Sequence, residues 1–317
     1  MDSRSKVVVV LVLVSLVLVL CSLSLSESGL RISVTSSVSS SFVIEGLVEN
    51  RLNLSYLELH SFPMISEVTT LQCVGSGNGT GGPLINYNWT GVPLFYLLQK
   101  AKVIPGTYRR VIFNATDGFS DSIMLDIAMN PTTILALKAN GTDLEQVTGF
   151  GSGYRLVLPG RWGYKWVKWI KQIIIVDHDY KGNYERWGLP DEALRPNFTM
   201  PVTTPTVHNF TANSIQILTN GSLQSFIFKS DKDLVIEING EPGTDGYLYV
   251  AFPRGLLAYP YQVYVNRSRA AFSQVDTNST VYIYVEYPNA SSTIEIKGAL
   301  QSSAGTGGGS RSRYMLQ

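Results

Sequence analysis

The stretch Leu71-Gln72-Cys73-Val74-Gly75 places a thiol at the end of a strand-like run, Val68-Thr69-Thr70-Leu71-Gln72, and delivers it into a loop holding Gly75, Gly77, Gly79, Gly81 and Gly82. The other cysteine, Cys21, sits in an apolar N-terminal run, so Cys73 is left over once disulfide pairing is considered. Such a thiol is a buried inert side chain, an intermolecular link, or a ligand or nucleophile. Glycines around it let backbone approach a ligand closely, which keeps the third reading open. Haem attachment is not encoded: there is no Cys-x-x-Cys-His, and the histidines are His60, His178 and His208.

The elements that must position this thiol are preceded by an export-type segment. Met1–Lys6 carries basic residues and is followed by an almost unbroken apolar run from Val7 to Leu20. Residues 1–26 therefore read as a signal peptide or, because about 20 apolar residues span a bilayer, as a retained membrane anchor. Asn-x-Ser/Thr sequons recur from Asn53 to Asn289, the pattern of a glycosylated surface protein. The expectation is an extracytoplasmic, secreted or cell-surface chain. With 25 basic against 24 acidic residues and a formal charge of +1, nucleic acid is excluded as a partner class.

Texture divides the remainder in two. Residues 41–193 mix strand alternation, as in Phe42-Val43-Ile44, with helical spacing. One helix is expected from Pro93 through Leu94, Leu97, Leu98 and Ala101, another from about Met124 to Ala128, ending before Asn130-Pro131. From residue 203 to 298 the helical period disappears. Short strands separated by turn signals such as Asn220-Gly221, Asn239-Gly240 and Gly243–Gly246 then argue a β-sandwich. Residues 299–317 are Gly/Ser-rich and read as a flexible tail. The fold class is α+β followed by an all-β sandwich.

Six segments, in order, resemble the sulfite-oxidase-type molybdopterin-binding domain, the family of sulfite oxidases, plant-type nitrate reductases and periplasmic methionine-sulfoxide reductase catalytic subunits. They are Phe42–Leu52 with Leu54–Leu59, Leu71–Gly75, Trp89–Leu98, Asp117–Ser122, Ile134–Gly141, and "GSGYRLVLPGRWGYKWVKWI" from Gly151 to Ile170. The resemblance implies that Cys73 ligates molybdenum, or tungsten in its place, beside the dithiolene of molybdopterin. A rigidly held thiolate suits such a metal. It also implies that Arg155 and Lys168 approach the pterin and its phosphate, one as a planar fork and the other as a point charge. Trp166 and Val167 fall where the family uses backbone groups near that phosphate. Arg161 and Lys165 are further cations of the same segment.

Departures from the family pattern narrow the chemistry. Val74, Gly75, Ser76 and Gly77 stand where sulfite oxidases carry Asn and sulfite-binding arginines, so sulfite is not the expected substrate. Phe150 replaces a pterin-bonding His or Asn, and Gly153 a proline. The resulting expectation is an exported molybdopterin-dependent oxidoreductase that transfers an oxygen atom to or from a small-molecule or protein-bound acceptor, served by a separate electron-transfer partner. The alternative is a cofactor-free cell-surface binding or scaffolding protein that keeps the fold. The segments Gly240–Leu257, Tyr261–Asn266 and Ile283–Gly298 resemble β-sandwich modules of archaeal cell-surface proteins. Their tyrosines read as ordinary strand aromatics.

Overall fold

The computed structural model describes residues 42–75, 84–106, 108–145, 153–196, 198, 201–229, 233–299 and 312–315. The N-terminal apolar run, the glycines after Gly75 and Phe150 lie outside the described residues. Among the described residues no helix is long and apolar enough to cross a membrane.

The thiol-bearing part is an 11-stranded sheet with three helices. Its strands are β1 (Phe42–Gly46), β2 (Leu52–Leu54), β3 (Ile65–Gln72), β4 (Leu84–Pro93), β5 (Arg110–Ala115), β6 (Ser120–Met124), β7 (Ile134–Ala139), β8 (Thr142–Asp143), β9 (Tyr154–Val157), β10 (Lys168–Val176) and β11 (Thr203–Thr204). The path runs β11-β3-β4-β7-β9-β10-β1-β2, with β5 on β10, β6 on β5 and β8 on β7. β1 runs parallel to β10, and the other pairings are antiparallel.

Local chemistry explains the helices. α1 (Tyr56–Ser61) starts on a capping box, with Glu58 N–H donating to the Ser55 hydroxyl and Ser55 N–H donating to Glu58 Oε2 at 2.7 Å. α2 (Leu94–Ala101) follows Pro93 at its N-cap and stops at Lys102, whose φ of 52° is left-handed. α3 (Leu125–Ala128) is a single turn before Asn130-Pro131.

The C-terminal region packs a five-stranded sheet against a six-stranded one. Along the strand Thr244–Pro253 side chains alternate in the two-residue period of a strand. Leu248, Val250 and Phe252 join the sandwich core, whereas Tyr247, Tyr249 and Ala251 join the core of the first sheet. Tyr249 stacks on Phe95 of α2 at 3.8 Å between ring centroids and donates its hydroxyl to the Met129 carbonyl. Tyr284 meets Tyr96 edge-on at 5.5 Å, and Tyr282 donates to Asp126 at 3.3 Å. The tyrosine-rich strands thus form a buried seam with α2 and α3, not an exposed platform.

Three details differ from the sequence reading. Thr203–Thr204 extends the edge of the first sheet by pairing with Ser66 and Glu67 of β3, and does not open the sandwich. Gly243–Gly246 is not a free turn, because the strand already starts at Thr244, opposite Asn289. Within the expected tail, Ser312–Met315 pairs antiparallel with Ser225–Phe228, since the outer edge of that strand offers a row of backbone hydrogen-bonding groups.

Candidate active site

Cys73 follows directly on β3, whose ladder with β4 runs out at the pair Gln72 and Leu84. Strand geometry therefore carries the thiol to the end of the sheet, where it is half-buried and free. The turn at Gly163 comes up against this end: a Cβ on Gly163 would lie 3.0 Å from the Gln72 carbonyl oxygen and 3.5 Å from Cys73 Cα. A larger residue there would push the turn off the strand.

Arg155 on β9 and Lys168 on β10 are direct cross-strand partners, which brings two cations to one place. The Arg155 guanidinium lies 5.9 Å from the Trp89 ring. Burial pulls its pKa down to about 10, which leaves it charged at neutral pH. A bound anion would reverse that shift. Lys168 Nζ stands 3.5 Å above the Trp169 ring. Trp169 has a φ of +56°, and the β9 register shifts between Lys168 and Ile170. This bulge costs backbone strain in a non-glycine residue and re-aims the start of β10, a pattern frequent beside functional sites.

All five residues singled out by sequence, Cys73, Arg155, Trp166, Val167 and Lys168, line one cavity of about 490 Å³. The turn hydrogen bonds modify the expected part of two of them. Trp166 N–H donates to the Gly163 carbonyl at 3.1 Å and Val167 N–H to the Lys165 carbonyl at 3.0 Å, so this pair offers wall surface, not free backbone donors. Leu71, Ile85, Tyr87, Phe119, Tyr164 and Tyr184 complete an apolar and aromatic lining, with the exposed Asp117 beside them. Asp117 and Phe119 belong to a segment the sequence had marked, whereas Tyr184 carried no signal.

Arg161 and Lys165 do not line this cavity. Arg161 donates to the Glu192 carbonyl. Lys165, 1 % exposed, turns away into a buried cluster. Its Nζ lies 2.8 Å from Asp121 and 2.9 Å from Asp191. It is 2.7 Å from Glu185 Oε1, at an angle poor for a hydrogen bond. Arg110 joins by a two-pronged contact to Asp191 at 2.7 and 2.9 Å. Burial pulls the Lys165 ammonium down, but the facing carboxylates outweigh it and hold the pKa above the usual lysine value. Burial pushes Asp121 up to about 6 against the pull of Lys165. Asp191, although also raised by burial, is lowered to about 2 by Arg110 and Lys165.

A larger hollow of 970 Å³ lies between the α1–α2 side and the sandwich, lined by Phe62, Tyr96, Tyr247, Tyr284 and Tyr287 among others. Among the described residues it shares none with the thiol cavity and is lined by no cysteine, histidine or cation. Chemistry, not volume, marks the candidate site.

Among the described residues no group of three or more His, Cys, Asp or Glu could hold a metal ion. Among the described residues Cys73 is thus not part of a protein-only metal cage, and the metal it suits is one whose further ligands arrive on an organic group. The surroundings fit such a group: one thiol, two cations for an anionic substituent, and aromatic walls for a flat heterocycle.

Residues 32–184 match the family model described as the oxidoreductase molybdopterin binding domain, and this part of the chain belongs to that family. The chain is 33 % identical over 179 residues to the NADPH nitrate reductase of Neurospora crassa, a match covering 48 % of this chain and 18 % of that protein. It is 30 % identical over 166 residues to the protein-methionine-sulfoxide reductase catalytic subunit MsrP of Gluconobacter oxydans, covering 47 % and 50 % respectively. A solved structure, the sulfane dehydrogenase SoxCD from Paracoccus pantotrophus, is similar at a TM-score of 0.41 and 21 % identity, covering 78 % of this chain and 63 % of that one. The matches thus span only 18 % and 50 % of the two curated relatives.

Proposed function

We propose that the chain is an exported molybdopterin-dependent oxidoreductase acting by oxygen-atom transfer. The carrying observation is the convergence of the lone thiol Cys73 with Arg155 and Lys168 on one aromatic-lined cavity in a domain of this family. When bound, the cofactor would supply a two-electron exchange of oxygen with the substrate. The protein's part would be to hold the metal through the Cys73 thiolate, to balance anionic charge with Arg155 and Lys168, and to exclude water with Trp166, Val167, Tyr164 and Tyr184.

Two cations line the described part of the cavity, both on the side where the pterin is expected. That supports an uncharged oxo compound, such as a sulfoxide or N-oxide, over sulfite. The name of the Gluconobacter relative favours a sulfoxide of methionine, free or protein-bound, as the first compound to test. Electrons would come from or go to a separate partner. Export rests on the apolar run after Met1–Lys6 and on the sequons, although Asn289, 5 % exposed and bonded to Thr244, is too buried to carry a glycan in the folded chain.

The test is the metal and pterin content of the protein purified from its native host, beside a Cys73→Ser variant. Near-stoichiometric molybdenum or tungsten with pterin, and metal lost or its coordination altered in the variant, supports the reading. Neither metal nor pterin in the native protein sinks it and leaves the surface-binding alternative.

A further inference from the structure

We propose that Lys165, Asp121 and Glu185 are positioning residues: one buried charge cluster gathers three of the chain segments that wall the Cys73 cavity and fixes the shape of that side. The inference rests on reading that cavity as a cofactor pocket.

Wall residues and cluster residues alternate along each segment. In the first, Asp117 and Phe119 line the cavity and Asp121, on β6, enters the cluster. In the second, Tyr164 and Trp166 line the cavity and Lys165 between them points the other way. In the third, Tyr184 lines the cavity and its neighbour Glu185 reaches Lys165. Two walls are thus each backed by a carboxylate within 2.7–2.8 Å of the ammonium group that backs the third.

The packing leaves little room for these segments to drift. A Cβ on Gly182 would lie 2.5 Å from Glu185 Oε2 and 2.6 Å from Asp121 Oδ1, so the chain closes directly over the cluster. Ser122 donates its hydroxyl to the Tyr180 carbonyl at 2.7 Å, and Asn183 N–H donates to the Ser120 carbonyl at 3.2 Å, tying the third segment to β6. Aromatic contacts continue the arrangement on the cavity side, with Tyr164 and Tyr184 at 5.4 Å and Phe119 and Tyr184 at 6.1 Å.

Stability alone does not account for such a cluster, because well-packed apolar residues of similar volume often stabilise as much as a buried ion pair. What converging charges add is a geometry in which a wall shifted by about 1 Å loses its short contact to Lys165.

The test uses full-length protein from the native host, with Cys73 alkylation by iodoacetamide followed by peptide mass spectrometry, and pterin content measured on the same samples. In ionised form the cluster holds Lys165 and Arg110 against Asp121, Glu185 and Asp191. The double variant Lys165→Met with Asp121→Asn keeps that net charge of one negative while removing the central contacts. The expected result is cooperative unfolding with Cys73 labelled about tenfold faster, as local opening of the walls would give, and pterin reduced. Lys165→Arg, which retains a cation, should return labelling toward the wild-type rate.

Glu185→Gln removes one arm only and serves if the double variant does not fold; faster labelling is again expected. Labelling at the wild-type rate in the folded variants overturns the proposal. Absence of pterin from the wild-type protein would overturn the cofactor reading instead, and the labelling rates would still decide whether the cluster holds the walls.

Discussion

Lys165 and Glu67 are equally buried, each 1 % exposed, yet the fold treats them in opposite ways. Lys165 sits where a turn and two neighbouring segments deliver three carboxylates to one ammonium. Glu67 sits in the middle of β3 between Trp89 of β4 and Thr203 of β11, with no hydrogen-bond partner on either carboxyl oxygen among the described residues. Burial raises its pKa well above the usual value and favours the neutral acid. The difference teaches where ionic charge is maintained in this interior: behind the cavity walls it is concentrated and paired, and at Glu67, in the middle of β3, it is suppressed.

The largest effect should come from breaking the paired side. Lys165→Met leaves Arg110 alone against three carboxylates, and removing one partner of a buried ionic group costs about 3–5 kcal/mol. Denaturant unfolding of the variant beside wild type measures this. A loss below about 1 kcal/mol, the range of exposed ion pairs, would mean that the cluster is hydrated and the contrast with Glu67 is false.

Acidity sharpens the comparison next, because two of the three cluster carboxylates, Asp121 and Asp191, respond in opposite directions. Asp121 has a folded pKa of about 6, above the unfolded value near about 4. The folded state binds its proton first, so stability should rise as pH falls from about 6 to about 4. Asp191, at about 2 in the folded state, contributes stability that is present above about 4 and lost as pH falls toward 2. Thermal unfolding from pH 3 to 8 should therefore peak near about pH 4–5. Asp121→Asn should flatten the limb between about 4 and 6. An unchanged limb would remove Asp121 as its source. The groups facing Asp121 in this titration are Lys165 and Glu185, with Asp191 and Arg110 one contact further out.

Much of this architecture was legible in the sequence because it depends on short-range patterns. The apolar stripe Leu94, Leu97, Leu98 and Ala101 gave α2, and Asn130-Pro131 set the end of α3. Cys73, Arg155, Trp166, Val167 and Lys168 were found together because the resemblance covered each of them, and the structure brings them to one cavity. What escaped depended on long-range placement. Lys165 and Lys168 are two cations three residues apart, and only the turn Gly163–Lys165 and the bulge at Trp169 send one into the cluster and the other to the cavity. Apart from Tyr261, which precedes its strand, the tyrosines lie in strands as read, but the alternation that turns Tyr247 and Tyr249 toward α2 shows nothing of its partner until the two cores are placed together.

The smallest expected effect is the most direct check on the unpaired side. Glu67→Gln keeps the shape of the side chain and removes only its proton equilibrium. If Glu67 is held neutral, the amide should change stability by less than about 1 kcal/mol at about pH 3, below the unfolded Glu67 value, since a buried neutral polar group replaces another of the same size. The two proteins should separate as pH rises. The unfolded Glu67 releases its proton near about 4.3, whereas the folded one keeps it, so wild-type stability carries, beyond the Asp121 limb that both proteins share, a further fall with pH that the variant lacks. The variant should therefore become the more stable protein toward neutral and alkaline pH, read as a widening gap in unfolding midpoint. Parallel curves would show that Glu67 ionises in the fold as easily as in the unfolded chain. Glu67 would then require a charge partner or water close to β3, and the distinction between the charge-holding cavity walls and the charge-suppressing middle of β3 would fail.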